Sequence, residues 1–304
     1  MTRALSSAVL VVVLACGSSG TSELESGPPG PSGGQDGGTG SSVDGSAFTN
    51  GDARATTGSP EVCNGVDDDH DGLIDNVDVG HDGVCDCLKI ATLGAVGTAG
   101  VGNVFAAWLS ARSTAGAVNL GSQTLTPALL APYQVIVAQD VHAIGHDYAP
   151  EEVKALADWI AAGGGFMTLT GYSDSSEVVN VNRLLAPHGI QYGSTPILFV
   201  GGYTVPVTGW VPHPVTQGIS KIGVDNGYAV TGGGTVLATE QGFDVLRVAD
   251  SGKGHVLVWG DEWITYDSEW TGHPDYQVQL FWVNVIKWLT TAAQCQVPIP
   301  PDLK

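Results

Sequence analysis

Four short apolar runs limit what this chain can become. KIATLG (residues 89–94), QVIVAQD (134–140), GFMTLT (165–170) and HVLVWG (255–260) are hydrophobic almost throughout rather than alternating. That is the pattern of strands covered on both faces. Between them lie segments with apolar residues at helical spacing. Residues 101–111 bring Phe105, Trp108 and Leu109 to one side. Residues 150–160 start on a proline, place Glu151 and Glu152 at the positive end of the helix dipole, and stop at three consecutive glycines, 163–165. A further helix is expected near residues 177–185, and residues 276–289 form an amphipathic one bearing Phe281, Val285 and Trp288. This alternation predicts a three-layer α/β domain with a parallel sheet over residues 88–292. Residues 193–248 add only short β candidates, among them 196–200 and 235–239. Trp108, Trp159, Trp282 and Trp288 fall at helical positions and are expected in the core. No internal repeat stands out.

Upstream of residue 88 the chemistry changes. Residues 1–88 hold 14 acidic and 2 basic residues, so they supply −12 of a formal charge of −20. Such a field repels nucleic-acid phosphates and attracts cations, which excludes nucleic acid as a partner. Residues 16–60 are mostly Gly, Ser, Thr and Pro with hardly a large apolar side chain. They cannot bury enough surface to offset their ordering entropy and are expected to form a disordered tether. At the start, Arg3 precedes AVLVVVLA (residues 8–15), a run shorter than the ~20 apolar residues of a spanning helix and typical of a signal peptide over residues 1–15. VLAC (13–16) resembles the lipobox of bacterial lipoproteins. The resemblance implies cleavage before Cys16 and lipidation of Cys16; with Gly17 next, it implies sorting to the outer membrane. The expected location is the outer membrane or cell surface through a lipid anchor, with simple secretion as the alternative.

Setting Cys16 aside leaves Cys63, Cys85, Cys87 and Cys295. An even number in an exported chain predicts two disulfides. A Cys85–Cys87 bond would close a strained ring, so Cys63 is expected to pair with one of that doublet and Cys295 with the other. This ties the tail (293–304) to a small module at residues 61–87.

Within that module, Asp67, Asp69, Asp71 and Gly72 spell D-x-D-x-D-G, the first half of an EF-hand-type calcium loop. Leu73 would offer its carbonyl, Ile74 fills the apolar position, and Asp75 and Asp78 stand at positions 9 and 12. The expected structural cofactor is Ca2+, in a loop without flanking helices. A softer ion using His70 and His81 is the lesser reading, because oxygens dominate the ligand set. The string EVCNGVDDDHDGLID (61–75) also resembles a short metal-binding repeat of secreted bacterial proteins, E-x-C-N-G-x-D-D-D-C-D-G-x-x-D. Here His70 replaces the second cysteine, so the resemblance's local disulfide is lost.

The strings DWIAAGGGFMTLTGYSDSSEVVNVNRLLAPHGI and GKGHVLVWGDEWITYDSEWTG, with FWVNVIKWL, resemble the class I glutamine amidotransferase-like superfamily, in particular its trehalose-utilisation-like branches. The resemblance implies a flavodoxin-like sheet and a cysteine nucleophile on the turn after the GG-strand. That turn is Thr170-Gly-Tyr-Ser173 and has no cysteine. Ser173 is a candidate substitute, without the G-x-S-x-G elbow. His213, His255 and His273 lack the expected surroundings. Asp140, His142, His146 and Asp147 lie where α/β sheets bind ligands, but are read first as a polar loop capping the next helix.

The segment DEWITYDSEW (261–270) interleaves acids with aromatics, as sugar sites do. Asp261 and Glu262 are adjacent and are expected to point apart. The candidate catalytic residues are Ser173, Asp261, Glu262 and His142, and the candidate ligand surface is Tyr172, Trp263, Tyr266, Glu269 and Trp270. The expected function is binding or surface interaction by a degenerate amidotransferase-like domain, with carbohydrate or a surface protein as ligand and the membrane reached through the anchor. The alternative is an extracellular hydrolase acting on a carbohydrate or related polymer at the same rim.

Overall fold

The computed structural model describes residues 58–97, 102–171, 175–196, 204–291, 294–301 and 303. The signal peptide, Cys16, the tether up to residue 57, Tyr172, Ser173 and residues 197–200 of an expected strand lie outside the described residues. In chain order the elements are β1 Ile90–Gly94, α1 Asn103–Ala111, β2 Val118–Asn119, α2 Pro127–Leu130, β3 Val135–Gln139, α3 Pro150–Ala162, β4 Gly165–Leu169 and α4 Ser175–Leu185. They continue with β5 Ile190–Pro196, β6 Val205–Val207, β7 Gly209–Trp210, β8 Ile222–Val224, β9 Tyr228–Gly232, β10 Thr235–Glu240, β11 Phe243–Ser251, β12 Gly254–Trp259 and α5 Val278–Leu289.

The central sheet runs β2-β1-β3-β4-β12-β11-β10-β7. Its first five strands are parallel, and in chain order of those five the arrangement is 2-1-3-4-5, the flavodoxin-like order. β1, β3 and β4 are buried at every residue, as their unbroken apolar runs require. One apolar core gathers Phe105, Leu109, Phe281, Trp282 and Leu289 of α1 and α5 beneath the sheet; a second gathers Leu156, Ile160, Val181 and Leu184 of α3 and α4 on the opposite face. The three layers expected from sequence are present.

The sequence pattern does not show how the sheet ends. Beyond β12 it turns antiparallel through β11, β10 and β7. β11 mixes exposed and buried positions along nine residues, so it carries no unbroken apolar run to announce it. Of the tryptophans expected in the core, Trp108 and Trp282 are buried, whereas Trp159 and Trp288 are only partly so. No helix among the described residues is long and apolar enough to cross a membrane.

The disulfides fall as the cysteine spacing predicts: Cys63 pairs with Cys87 and Cys85 with Cys295. The second bond fixes the tail, where the Cys295 amide also donates to the Ile74 carbonyl at 2.9 Å.

Candidate functional site: an acidic collar and the sheet rim

The acidic module consists of the same turn used twice, so an internal repeat is present after all. VDDDHDGLID (66–75) and VDVGHDGVCD (77–86) align with a period of eleven residues. In the first, the Asp67 carboxylate accepts the Asp71 and Gly72 amides at 3.1 and 3.0 Å, and Asp71 accepts the Leu73 amide at 2.7 Å. In the second, Asp78 accepts the Asp82 and Gly83 amides, each at 3.0 Å, and Asp82 accepts the Val84 amide at 3.1 Å. The left-handed backbone falls at matching places: φ is 61° at His70 and 50° at His81, and 95° at Gly72 and 85° at Gly83. Glycine is needed at the last two because a β-carbon there would be strained.

The two turns differ in what faces their carboxylates. Around the first, ligand oxygens of Glu61, Asp67 and Asp69 lie within 4.8 Å of one another. Oxygens held at about 2.3–2.6 Å from a common Ca2+ lie within about 5 Å of each other, so this set fits that ion. Glu61 is anchored by the amides of Asp68, Asp69 and Asp75 at 2.6, 3.0 and 2.8 Å. The sequence pattern missed it because it precedes position 1 of the loop. Asp75, expected as a ligand, instead accepts the Asn64 and Gly65 amides at 2.9 Å each, and Asp78 is the first residue of the second turn. At that second turn Asp82 pairs with Arg112, whose guanidinium also lies 4.3 Å over the Trp108 ring. Burial raises the Asp82 pKa more than Arg112 lowers it.

The other candidates meet where β3, β4 and β12 end. Asp261 is fully buried and accepts the amides of Asp225 and Trp263 at 2.5 and 3.0 Å, together with that of Glu262. Glu262, whose backbone is already in the helical region at the start of the short turn Trp263–Thr265, has a different set of partners. Gln139 donates to it at 2.9 Å, and the Tyr266 hydroxyl bonds it too. Its carboxyl lies against Gly171: a β-carbon there would fall 1.9 Å from Glu262 Cδ. Burial lifts the pKa of both acids, Asp261 well above the carboxylate range. Gln139 is the residue that sequence reasoning missed. Its signal in the sequence was a polar residue closing an apolar run, and the structure buries it wholly.

His142 is exposed on its loop. His146 pairs with Glu152 at 2.8 Å and Asp147 with Arg183 at 3.1 Å, while Glu152 accepts the Ala149 amide at 3.0 Å. Contrary to the expectation from sequence, the loop side chains do not themselves cap α3: Glu152 of the helix takes the Ala149 amide, and the loop's side-chain contact with α3 is the His146–Glu152 pair. His255 pairs with Asp250 at 2.9 Å.

The ligand-surface candidates divide. Trp263 and Tyr266 are partly exposed with ring centroids 5.5 Å apart, so they form an accessible aromatic pair beside Glu262. Trp270 donates to the Ile264 carbonyl at 2.9 Å and packs on Phe105 and Trp108. Glu269 is 1% exposed, and burial pushes its pKa up to about 7. The described residues assemble neither a serine–histidine–acid chain nor a pair of facing carboxylates at this rim.

No family model and no curated protein matches the chain. Solved structures do. A cytoplasmic protein of Salmonella typhimurium LT2 is 16% identical with a TM-score of 0.52, over 67% of this chain and 100% of that one. The mmIFT52 N-terminal domain is 12% identical with a TM-score of 0.50, over 66% and 100%. A ThuA-like protein from Bacteroides uniformis is 15% identical with a TM-score of 0.41, over 66% and 91%. The first two likenesses concern the fold alone and the third adds nothing to them. Fold and strand order together define a mixed α/β domain of flavodoxin-like type.

Proposed function

We propose that this chain is an exported cell-surface protein, lipid-anchored at Cys16, whose acidic module is a calcium-stabilised collar and whose amidotransferase-like domain binds a ligand rather than transforming one. The observation behind the binding reading is that both rim carboxylates are already committed. Asp261 is taken up by three backbone amides, and Glu262 is bonded by Gln139 and Tyr266 and packed against Gly171. The partly exposed Trp263–Tyr266 pair beside them suits a sugar ring or an apolar protein side chain. Glu61, Asp67, Asp69 and Asp71 would hold the calcium ion, which would neutralise their mutual repulsion. Calorimetric Ca2+ titration of the full chain tests the collar: Asp67→Ala and Asp71→Ala should each abolish the binding heat, and unchanged heats would refute it. For the anchor, Cys16→Ala should release the protein from membranes; undiminished membrane association would refute that part.

One observation favours a second reading, a carbohydrate hydrolase. Glu262 is a carboxyl with a raised pKa next to the turn at which the superfamily carries its nucleophile. A polysaccharide panel separates the two. Binding lost in Trp263→Ala and kept in Glu262→Gln, without product, supports binding; sugar release abolished by Glu262→Gln supports hydrolysis.

A further inference from the structure

A second polar cluster shares no side chain with the collar or with the Glu262 contacts. It is built on Glu269, which lies on a single π-turn, Ser268–Gly272, a distortion often kept at functional sites. The Glu269 side chain is sealed from solvent. Its Oε1 lies 3.4 Å from Thr204 Oγ1 and 3.7 Å from His273 Nε2, and Thr204 Oγ1 is 3.4 Å from the Tyr276 hydroxyl. Its Oε2 is buried with no hydrogen-bond partner. A carboxylate oxygen shut away from water without a donor is a costly arrangement, and a bound cation removes that cost. No lysine or arginine among the described residues pairs with Glu269: Lys221 lies over the Tyr276 ring, 5.4 Å from its centroid, but bonds Asp275.

The separations are informative. An O–H···O hydrogen bond is about 2.7–2.8 Å long and an N–H···O one about 2.9–3.0 Å; the two hydroxyl contacts and the imidazole contact are all longer than that. Ligand atoms at about 2.0–2.2 Å from a tetrahedral zinc ion lie roughly 3.3–3.6 Å from one another, and the two separations between proposed ligands, Glu269 Oε1 to Thr204 Oγ1 and to His273 Nε2, match this to within about a tenth of an ångström. The supports are rigid. Thr204 and Tyr276 rest on Gly223 of β8, where a β-carbon would come within 2.5 Å of both. The His273 ring stacks on Tyr276, centroids 4.5 Å apart and 10° from parallel. His273 is 41% exposed, which opens the cluster to solvent on one side.

We propose that Glu269 and His273, with the Thr204 hydroxyl beside them, bind a divalent transition metal of the zinc class, with water completing the shell on the His273 side. The imidazole nitrogen selects this class over calcium or magnesium, so the site differs chemically from the all-oxygen collar.

The test is Co2+ titration of the full chain in excess Ca2+, followed by visible ligand-field absorption, with Zn2+ as competitor. One equivalent of Co2+ should bind and be displaced by Zn2+. His273→Ala and Glu269→Gln should each weaken binding by at least the roughly 10–100-fold that second-shell changes cost, while a His70→Ala/His81→Ala double variant binds as wild type. His273 is partly exposed, so its variant keeps the question answerable if Glu269→Gln does not fold. The proposal is overturned if calcium-loaded wild type shows no saturable Co2+ binding, if His273→Ala binds unchanged, or if the signal disappears in the His70/His81 variant.

Discussion

The two disulfides should contribute very unequally to stability. Cys85–Cys295 closes a sequence separation of 210 residues, Cys63–Cys87 one of 24. In the chain-entropy model, a cross-link removes about 2.1 + 1.5R ln n cal/mol/K from the unfolded ensemble, which gives roughly 5 kcal/mol for the long loop and roughly 3 kcal/mol for the short one at 25 °C. The difference, about 2 kcal/mol, is the more secure quantity, because errors in the unfolded reference largely cancel. Packing adds to the same side: Cys85 and Cys295 are 1% and 3% exposed, whereas Cys63 is exposed. The assay is guanidinium unfolding of Cys85→Ala/Cys295→Ala and Cys63→Ala/Cys87→Ala, followed by tryptophan fluorescence. Repeating it on wild type and variants under a reductant isolates the alanine packing term, since neither bond then exists. The first variant should lose more stability by about 2 kcal/mol after that subtraction. Equal losses, or a larger loss in the short-loop variant, would refute the loop-entropy reasoning and assign the bonds a purely local role.

Other perturbations have defined outcomes. Asp82→Asn should destabilise by about 3 kcal/mol in thermal unfolding, because it leaves the nearly buried Arg112 guanidinium without its acid; a change near zero would mean that the Trp108 contact suffices. Gly171→Ala drives a methyl into the Glu262 carboxyl and should cost about 1–3 kcal/mol or more, a cost that Glu262→Ala in the same chain should relieve. Glu262 has its folded pKa raised by burial. Its contribution to stability is therefore complete below the ordinary glutamate pKa and lost as pH rises through the folded value. Glu262→Gln should thus be more stable than wild type near pH 8 and little changed near pH 4, as read by denaturation midpoints; the opposite slope would refute the assignment.

What was legible in the sequence followed from how each element is buried. β1, β3, β4 and β12 are wrapped on both faces, so burial leaves an apolar run that can be read directly. α3 was legible through Pro150, Glu151 and the following glycines. The antiparallel flank was not: β10 and β11 alternate buried and exposed positions with β-bulges between them, and their partners are chosen by tertiary contact. The site divides in the same way. Asp261 and Glu262 have separate partners, as expected, but not for the expected reason: the backbone at Glu262 is helical, not extended. The roles of Gln139 and Thr204 come from strand order, which brings residues 123 and 65 positions away onto Glu262 and Glu269.

The repeat within the acidic module shows how far such reading extends, because two copies of one turn meet different surroundings. Both fix a pair of aspartates by the same backbone bonds, so their conformation does not need a cation to define it. What remains is charge. In the second copy a protein side chain, Arg112, reaches the turn from α1's C-terminal end and faces the aspartate at its fifth position. In the first copy Glu61 adds a further carboxylate in place of a counter-charge, so the negative potential is increased where the second copy relieves it. Three carboxylates drawn within 4.8 Å of one another repel, and a bound cation would offset that repulsion. The copy with its own arginine thus serves as an internal control for the copy without one, and that contrast supports the calcium proposal more strongly than the D-x-D-x-D-G spacing does.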